Sequence, residues 1–208
     1  MIGKARAILN SLLYLLLFVF CVAVAEVVFT LLGLPGFAPL GAAVVGVCAL
    51  ILIVKIKHGN LEESFSLRAL TKKNFALIIA IAIPITILIQ CTQFFFPSEF
   101  RADMPEFSLP YGLLSVISIA VTTPVIEEIF FRGFIFKNLS ENFHPVTAII
   151  ISSLFFSGLH PDAVWAMMAM LISVFYSILF LKFKSLFAPV AAHMTSNIIA
   201  VVANVFLI

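Results

Sequence analysis

Residues 122–134 read TTPVIEEIFFRGF, placing Glu127, Glu128 and Arg132 inside a run otherwise apolar enough to cross a bilayer. Charge is expensive in hydrocarbon, so a cluster of three ionisable side chains there marks a functional site by default. The rest of the chain supplies partners. His160 and His193 lie within or at the ends of other apolar stretches, and Asn197 follows His193 by one helical turn.

Composition sets the class. Of 208 residues, 63% are hydrophobic and 11% charged, with a mean hydropathy of +1.22. A soluble domain carries roughly 25% charged residues, so the chain reads as a membrane protein. Its 23 Phe agree, because phenylalanine sits comfortably in lipid or between helices. Cys21, Cys48 and Cys91 fall on separate apolar stretches and read as buried thiols rather than a disulfide framework or metal site.

A helix needs about 20 apolar residues to span the bilayer. Candidate spans are residues 7–32, 38–54, 75–96, 111–136, 146–161, 163–181 and 186–208. The prediction is thus an all-α polytopic protein of about seven transmembrane helices. Lys4 and Arg6 precede the first span, which is too long for a signal-peptide core and has no convincing cleavage site, so it is expected to be retained. No internal repeat, linker or low-complexity tail breaks the sequence, so residues 1–208 are expected to form one domain. With the N-terminus inside, Arg101 is the one Lys or Arg left on the outer side. By the positive-inside rule this predicts a cytoplasmic N-terminus and an outer C-terminus. The expected location is a bacterial plasma membrane. The polar segment 55–73 reads as a solvated inner loop, loosely attracted to anionic lipid.

Helical spacing separates the two carboxylates. Glu128 and Arg132 are four apart and share a face, so they can form an ion pair that keeps Glu128 charged. Glu127 lies about 100° further round the helix. It is the freer carboxylate and the better candidate for a general base acting on water. Pro124 lacks a backbone N–H and is expected to loosen the helix nearby. His160 follows Phe156 by four and Asn197 follows His193 by four. One imidazole can help the glutamate with water; the other, with the amide, can donate hydrogen bonds to a tetrahedral oxyanion.

These residues, in this order, resemble a known family. Glu127-Glu128-x-x-x-Arg132-Gly133, Phe156-x-x-x-His160 and His193-x-x-x-Asn197 are similar to the three motifs of the CPBP family, the CAAX proteases and bacteriocin-processing enzymes also called the ABI family. The flanks EEIFFRGF and LFAPVAAHMTSN resemble it closely, and the resemblance covers about residues 122–201. It implies an all-helical intramembrane peptidase whose chamber opens toward the cytosol. It also implies that Glu127 activates water with the aid of His160, that His193 and Asn197 form the oxyanion hole, and that Glu128 and Arg132 are structural neighbours. No cofactor is the preferred reading. Zinc stays open, because Glu127, His160 and His193 would supply the three protein ligands a catalytic zinc needs, although no HExxH pair strengthens that case.

The expected partners are membrane lipid and a membrane-associated peptide or protein substrate, with no nucleic acid. Two other classes compete. A non-catalytic peptide-binding or bacteriocin self-immunity protein would use the same cavity without needing a water-activating glutamate. A proton-coupled transporter is a weaker fit, since no repeat is detectable. Several residues are set aside: Glu26 as a lone carboxylate near an outer end, Asp162 as a turn cap, and Tyr111 and Trp165 as outer-interface aromatics. Gln90 and Gln93 are expected to bond across helices, and His58 and His144 to be solvated.

Overall fold

A computed structural model describes residues 2–33, 41, 44–46, 48–49, 51–52, 55, 65–97, 116–160 and 162–207. Its regular elements are all helical. Helix α1 (Ile2–Leu31) is apolar all round and exposes Leu9, Leu13, Leu16 and Phe20, as suits a span facing lipid. Helix α2 (Lys72–Cys91) starts at Thr71, whose Oγ1 accepts the Asn74 N–H at 3.2 Å. It carries Pro84 internally and tightens into a 3-10 turn over Thr92–Phe95. Helix α3 (118–140) carries the carboxylates; α4 (Pro145–Ser157), α5 (Ala163–Phe183) and α6 (Phe187–Leu207) follow.

Among the described residues three segments are long and apolar enough to cross a membrane: Gly3–Leu31, Lys72–Phe95 and Ala163–Phe183. Pro145–Ser157 and Phe187–Ala203 are shorter apolar helices. Six of the seven expected spans therefore have a helix. The span at 38–54, the inner loop with His58 and the outer loop with Arg101 and Tyr111 lie wholly or mostly outside the described residues. The cysteines are unpaired as expected, but Cys48 and Cys91 are exposed rather than buried. A thiol facing lipid still sits in an apolar medium, so its hydrophobic character does not require burial in protein.

Helix α3 is not a regular α-helix. Residues Ser118–Thr122 and Ile129–Phe136 are π-helical, flanking one α-helical stretch, Thr123–Glu128. The Thr123 N–H reaches back to Ser118 O, a five-residue step. A proline ring in a regular helix clashes with the carbonyl four residues earlier. The widened turn just before Pro124 gives the ring room and keeps the helix continuous. Such π segments are frequent at functional sites.

Small residues bring the helices together, as is common in membranes. Ala82 of α2 and Ala188 and Ala192 of α6 are fully buried, and Thr86 Oγ1 lies 2.6 Å from Ser196 Oγ across that seam. Ser153 on α4 and Ser173 and Ser177 on α5 are likewise buried. Beneath them lies an aromatic core that includes Phe130, Phe131, Phe134, Phe136, Phe156 and Phe180. Gly133 lets Phe65 into that core: a Cβ at Gly133 would sit 2.7 Å from Phe65 Cδ1. Gly133→Ala should therefore overpack the site and destabilise the protein by about 1–3 kcal/mol. Thermal unfolding in detergent checks this, with Phe65→Ala/Gly133→Ala expected to recover part of the loss.

One end of the bundle is defined by loop contacts. Asn138 Nδ2, at the end of α3, donates to Ala7 O at 2.8 Å and Ser11 Oγ at 2.9 Å near the start of α1. Lys4 Nζ lies 5.5 Å above the Phe143 ring. After α5, Leu186 N–H donates to Ser66 O at 3.0 Å and Ser185 Oγ to Arg68 O at 2.5 Å. The starts of α1, α2 and α6 and the ends of α3 and α5 thus share one face.

Candidate active site

The two adjacent carboxylates have different surroundings, as their helical offset predicts. Glu128 is fully buried, and its Oε1 accepts Arg132 Nη1 at 2.9 Å. Arg132 is itself held from α5: Nη2 donates to both the backbone oxygen and Oγ of Ser173, each at 2.8 Å. Its guanidinium also lies 5.4 Å from the Phe156 ring and 5.4 Å from the Tyr176 ring. A buried ion pair is held better when further hydrogen bonds satisfy its other atoms; Ser173 supplies two of these, while among the described residues Glu128 Oε2 and Arg132 Nε have no hydrogen-bond partner.

Glu128 then sets His193 on α6. His193 Nδ1 lies 2.9 Å from Glu128 Oε1, and that oxygen also takes the Arg132 bond. An ionised carboxylate only accepts, so His193 Nδ1 carries a proton and donates it. Nε2 therefore points the other way, 3.6 Å from Glu127 Oε2. That is beyond good hydrogen-bond length. Tyr176 stacks on the imidazole with ring centroids 4.7 Å apart and planes at 26°. Ser173, Arg132, Glu128 and His193 form one relay of contacts, each fixing the next.

His160 reaches the site from a short connection. Helix α4 has 13 residues and ends at Ser157. Asp162 caps α5, its Oδ1 accepting Val164 N–H at 2.8 Å and Trp165 N–H at 3.1 Å, which is the turn-capping role expected of it. His160 Nδ1 lies 3.1 Å from Phe156 O. A carbonyl only accepts, so Nδ1 is the protonated nitrogen and the neutral ring keeps its Nε2 lone pair free. Asn197 Nδ2 donates to Ile119 O at 2.8 Å, tying α6 to the first π segment and leaving its second amide hydrogen unspent on that bond.

Glu127, His160, His193 and Asn197 all line one cavity of about 470 Å³. Glu127 keeps 23% of its side chain exposed, whereas Glu128 keeps none. By span counting His160 lies further from the inner face than Glu127. The cavity bridges that difference by running along the bundle from one residue to the other. Its wall also includes Thr86, Gln90, Gln93, Trp165, Tyr176 and Ser196, which sequence reasoning did not place there. The two glutamines and the tryptophan are polar or amphipathic residues in apolar helices and carried a weak signal. Ser173 and Tyr176 carried none, because a Ser or Tyr in a membrane helix is commonplace. Glu26 is exposed and is not part of the wall.

A zinc ion would have to draw on Glu127, His160 and His193. A catalytic zinc wants three protein ligands and an open position. Among the described residues no three His, Cys, Asp or Glu side chains are gathered as a metal-holding group. Glu127 and His193 approach each other, and the Nδ1 contacts of His193 with Glu128 and of His160 with Phe156 O leave both Nε2 atoms uncommitted, the arrangement that also supports metal-ligating histidines.

The described helices enclose the cavity in a helical bundle with spans long and apolar enough to cross a membrane, a polytopic membrane protein. Residues 109–199 match the family model for type II CAAX prenyl endopeptidase Rce1-like proteins. Over 89 residues the chain is 29% identical to "Putative membrane peptidase YdiL" of Bacillus subtilis (strain 168), a stretch covering 43% of this chain and 36% of that protein. The chain thus matches little more than a third of that relative's length. No solved structure matches. Both comparisons bear out the resemblance to the CAAX protease and bacteriocin-processing family, and at family level to an intramembrane protease.

Proposed function

We propose that this protein is an intramembrane endopeptidase in the plasma membrane of a bacterium, cutting a peptide bond of a membrane-associated peptide or protein. The observation that carries the reading is the convergence of Glu127, His160, His193 and Asn197 on one cavity, with the Glu128–Arg132 pair behind it. Glu127 takes a proton from a water molecule as its oxygen attacks the scissile carbonyl. His160, through its free Nε2, accepts the water's other hydrogen and orients it. The developing oxyanion receives the spare Asn197 amide hydrogen, and His193, held at Nδ1 by Glu128, faces the same cavity beside it. As the C–N bond breaks, Glu127 returns its proton to the leaving amine. The remaining wall, with Ile119, Phe156, Met168 and Ile172, suits apolar side chains on either side of the bond.

The test is cleavage of a membrane-anchored peptide library by purified protein in detergent, with and without chelator. Cleavage that survives chelation is the expected result. Loss on chelation, restored by zinc, would overturn the metal-free chemistry while leaving the hydrolase. Binding of library peptides without any cleavage would instead favour the peptide-binding or immunity role.

A further inference from the structure

Gln90 and Gln93 line the same cavity as the four candidate catalytic residues, and the chemistry above uses neither. With Thr86 they are spaced four and three apart, one stripe of α2 and its 3-10 extension. The sequence leads one to expect them to bond across helices. Thr86 does so, with Ser196 Oγ. Among the described residues, neither glutamine amide has a hydrogen-bond partner.

The reason lies on α6. Its start is tied to the segment before α2 by Leu186 N–H on Ser66 O and Ser185 Oγ on Arg68 O, so the two helices run parallel. Thr86 meets Ser196, and four residues further on Gln90 stands level with Ala200. Gln93 stands level with Ala203. Alanine offers no polar side-chain atom and leaves room. Both glutamines are half-buried and open to that room. Toward the end of α3 the interior is filled instead, with Phe130, Phe131, Phe136 and Leu139 buried. Space for a chain therefore lies along α2 and α6 beyond Thr86.

A primary amide carries one acceptor and two donors, and leaving it unpaired in an apolar wall is costly. A peptide in an apolar cavity has the same need, for its own N–H and C=O groups. The spacing matches. Gln90 to Gln93 rises about 5–6 Å, and two residues of extended chain advance about 6–7 Å. Alternate residues of an extended chain turn their N–H and C=O to the same edge. Ala200 is three residues past Asn197, a rise of about 4.5 Å, so an extended chain reaches Gln90 about two residues from the bond that is cut.

We propose that Gln90 and Gln93 bind the backbone of an extended substrate peptide, each pairing with the N–H and C=O of one of two alternate residues. The word substrate rests on the peptidase reading; the backbone contacts do not. No Lys or Arg lines the cavity, and Ile89, Ala200 and Ala203 flank the amides. This part of the wall therefore reads main chain rather than side-chain charge. A proline at either position lacks the N–H and is selected against.

The test uses the full chain in detergent: wild type, Gln90→Leu, Gln93→Leu and the double variant. Leucine suits a membrane helix and cannot hydrogen-bond. The probe is the anchored library peptide that the wild type cuts fastest, remade with a single backbone ester at each position in turn. Each single change should raise KM about threefold to tenfold and leave kcat unchanged. In the wild type, esters at two positions two residues apart should lower kcat/KM. Gln90→Leu should be indifferent to one of them and Gln93→Leu to the other. Equal ester sensitivity in wild type and variants, or a fall in kcat with KM unmoved, would overturn the proposal. The scan of the wild type needs no variant to fold, and no ester-sensitive position in it would be equally fatal.

Trp165, the one tryptophan of the chain, lines the same cavity, so its fluorescence reports peptide binding independently of cleavage. Binding weakened by the leucine changes, without cleavage by the wild type, would sink the peptidase reading and leave the backbone contacts standing. Cleavage with KM indifferent to both changes would do the opposite. Library peptides neither bound nor cut would overturn both.

Discussion

Glu127→Gln is expected to fold normally and to lose peptide cleavage. The amide has the shape of the carboxylate and can still hydrogen-bond, but it cannot take a proton from water. General-base catalysis by a positioned side chain contributes roughly 10²–10⁴-fold, and a fall of that order in kcat is the predicted effect. Stability should hardly move. Glu127 is partly open to the cavity, and His193 Nε2 is 3.6 Å away. Initial rates on a cleaved membrane-anchored peptide, alongside a melting curve in the same detergent, give both numbers. Retention of activity within tenfold would remove Glu127 from the role of base, while a collapsed melting temperature would make it a structural residue. The comparison with Glu128→Gln is informative, because that change strikes a buried pair and should cost stability first.

Removing Arg132 should do the greatest structural damage. Arg132 is 1% exposed and Glu128 not at all, so Arg132→Met strands a charged carboxylate in the protein interior. Breaking a buried pair from one side typically costs about 3–5 kcal/mol. Arg132→Lys keeps the charge but not the planar fork that reaches Glu128 and Ser173 together, so it should recover only part of the loss. The double change Glu128→Leu/Arg132→Met separates stability from activity. With both charges gone the interior is apolar and stability should return toward wild type. Cleavage should stay lost, because His193 Nδ1 no longer has its acceptor. Melting temperatures of the two singles and the double form a cycle whose coupling term isolates the pair. Near-additive losses would show that the pair is not the unit described here.

Both predictions rest on a separation of the two carboxylates that the sequence itself carries. The four-residue offset from Glu128 to Arg132 is a statement about helix geometry, and the pair appears at 2.9 Å. The same arithmetic left Glu127 unpaired by Arg132 and turned toward another face, and there it meets the cavity. His193 and Asn197, four apart, do share a wall. What the spacing did not carry was the link between helices. That Glu128 would hold His193 rather than merely neighbour it depends on α3 and α6 packing at one particular height. That height follows from contacts such as Asn197 with Ile119 and Thr86 with Ser196. The π-helical stretches around Thr123–Glu128 were foreshadowed only by Pro124, since a wider turn leaves no periodic signature in so short a segment.

From its sequence alone this chain is a helical membrane protein with paired carboxylates, two histidines and an asparagine at helical spacing. Hydropathy and i, i+4 geometry are local properties that a linear chain carries in full. Only the tertiary structure decided how those residues meet. It brought Ser173 and Tyr176 against Arg132 and His193, and put Trp165, Gln90 and Gln93 in the cavity wall. It also plugged one end of the bundle with phenylalanine. Those outcomes depend on which small residues let two helices approach and on where each helix stops. Such choices are made between segments far apart in the chain, and no single stretch of it records them.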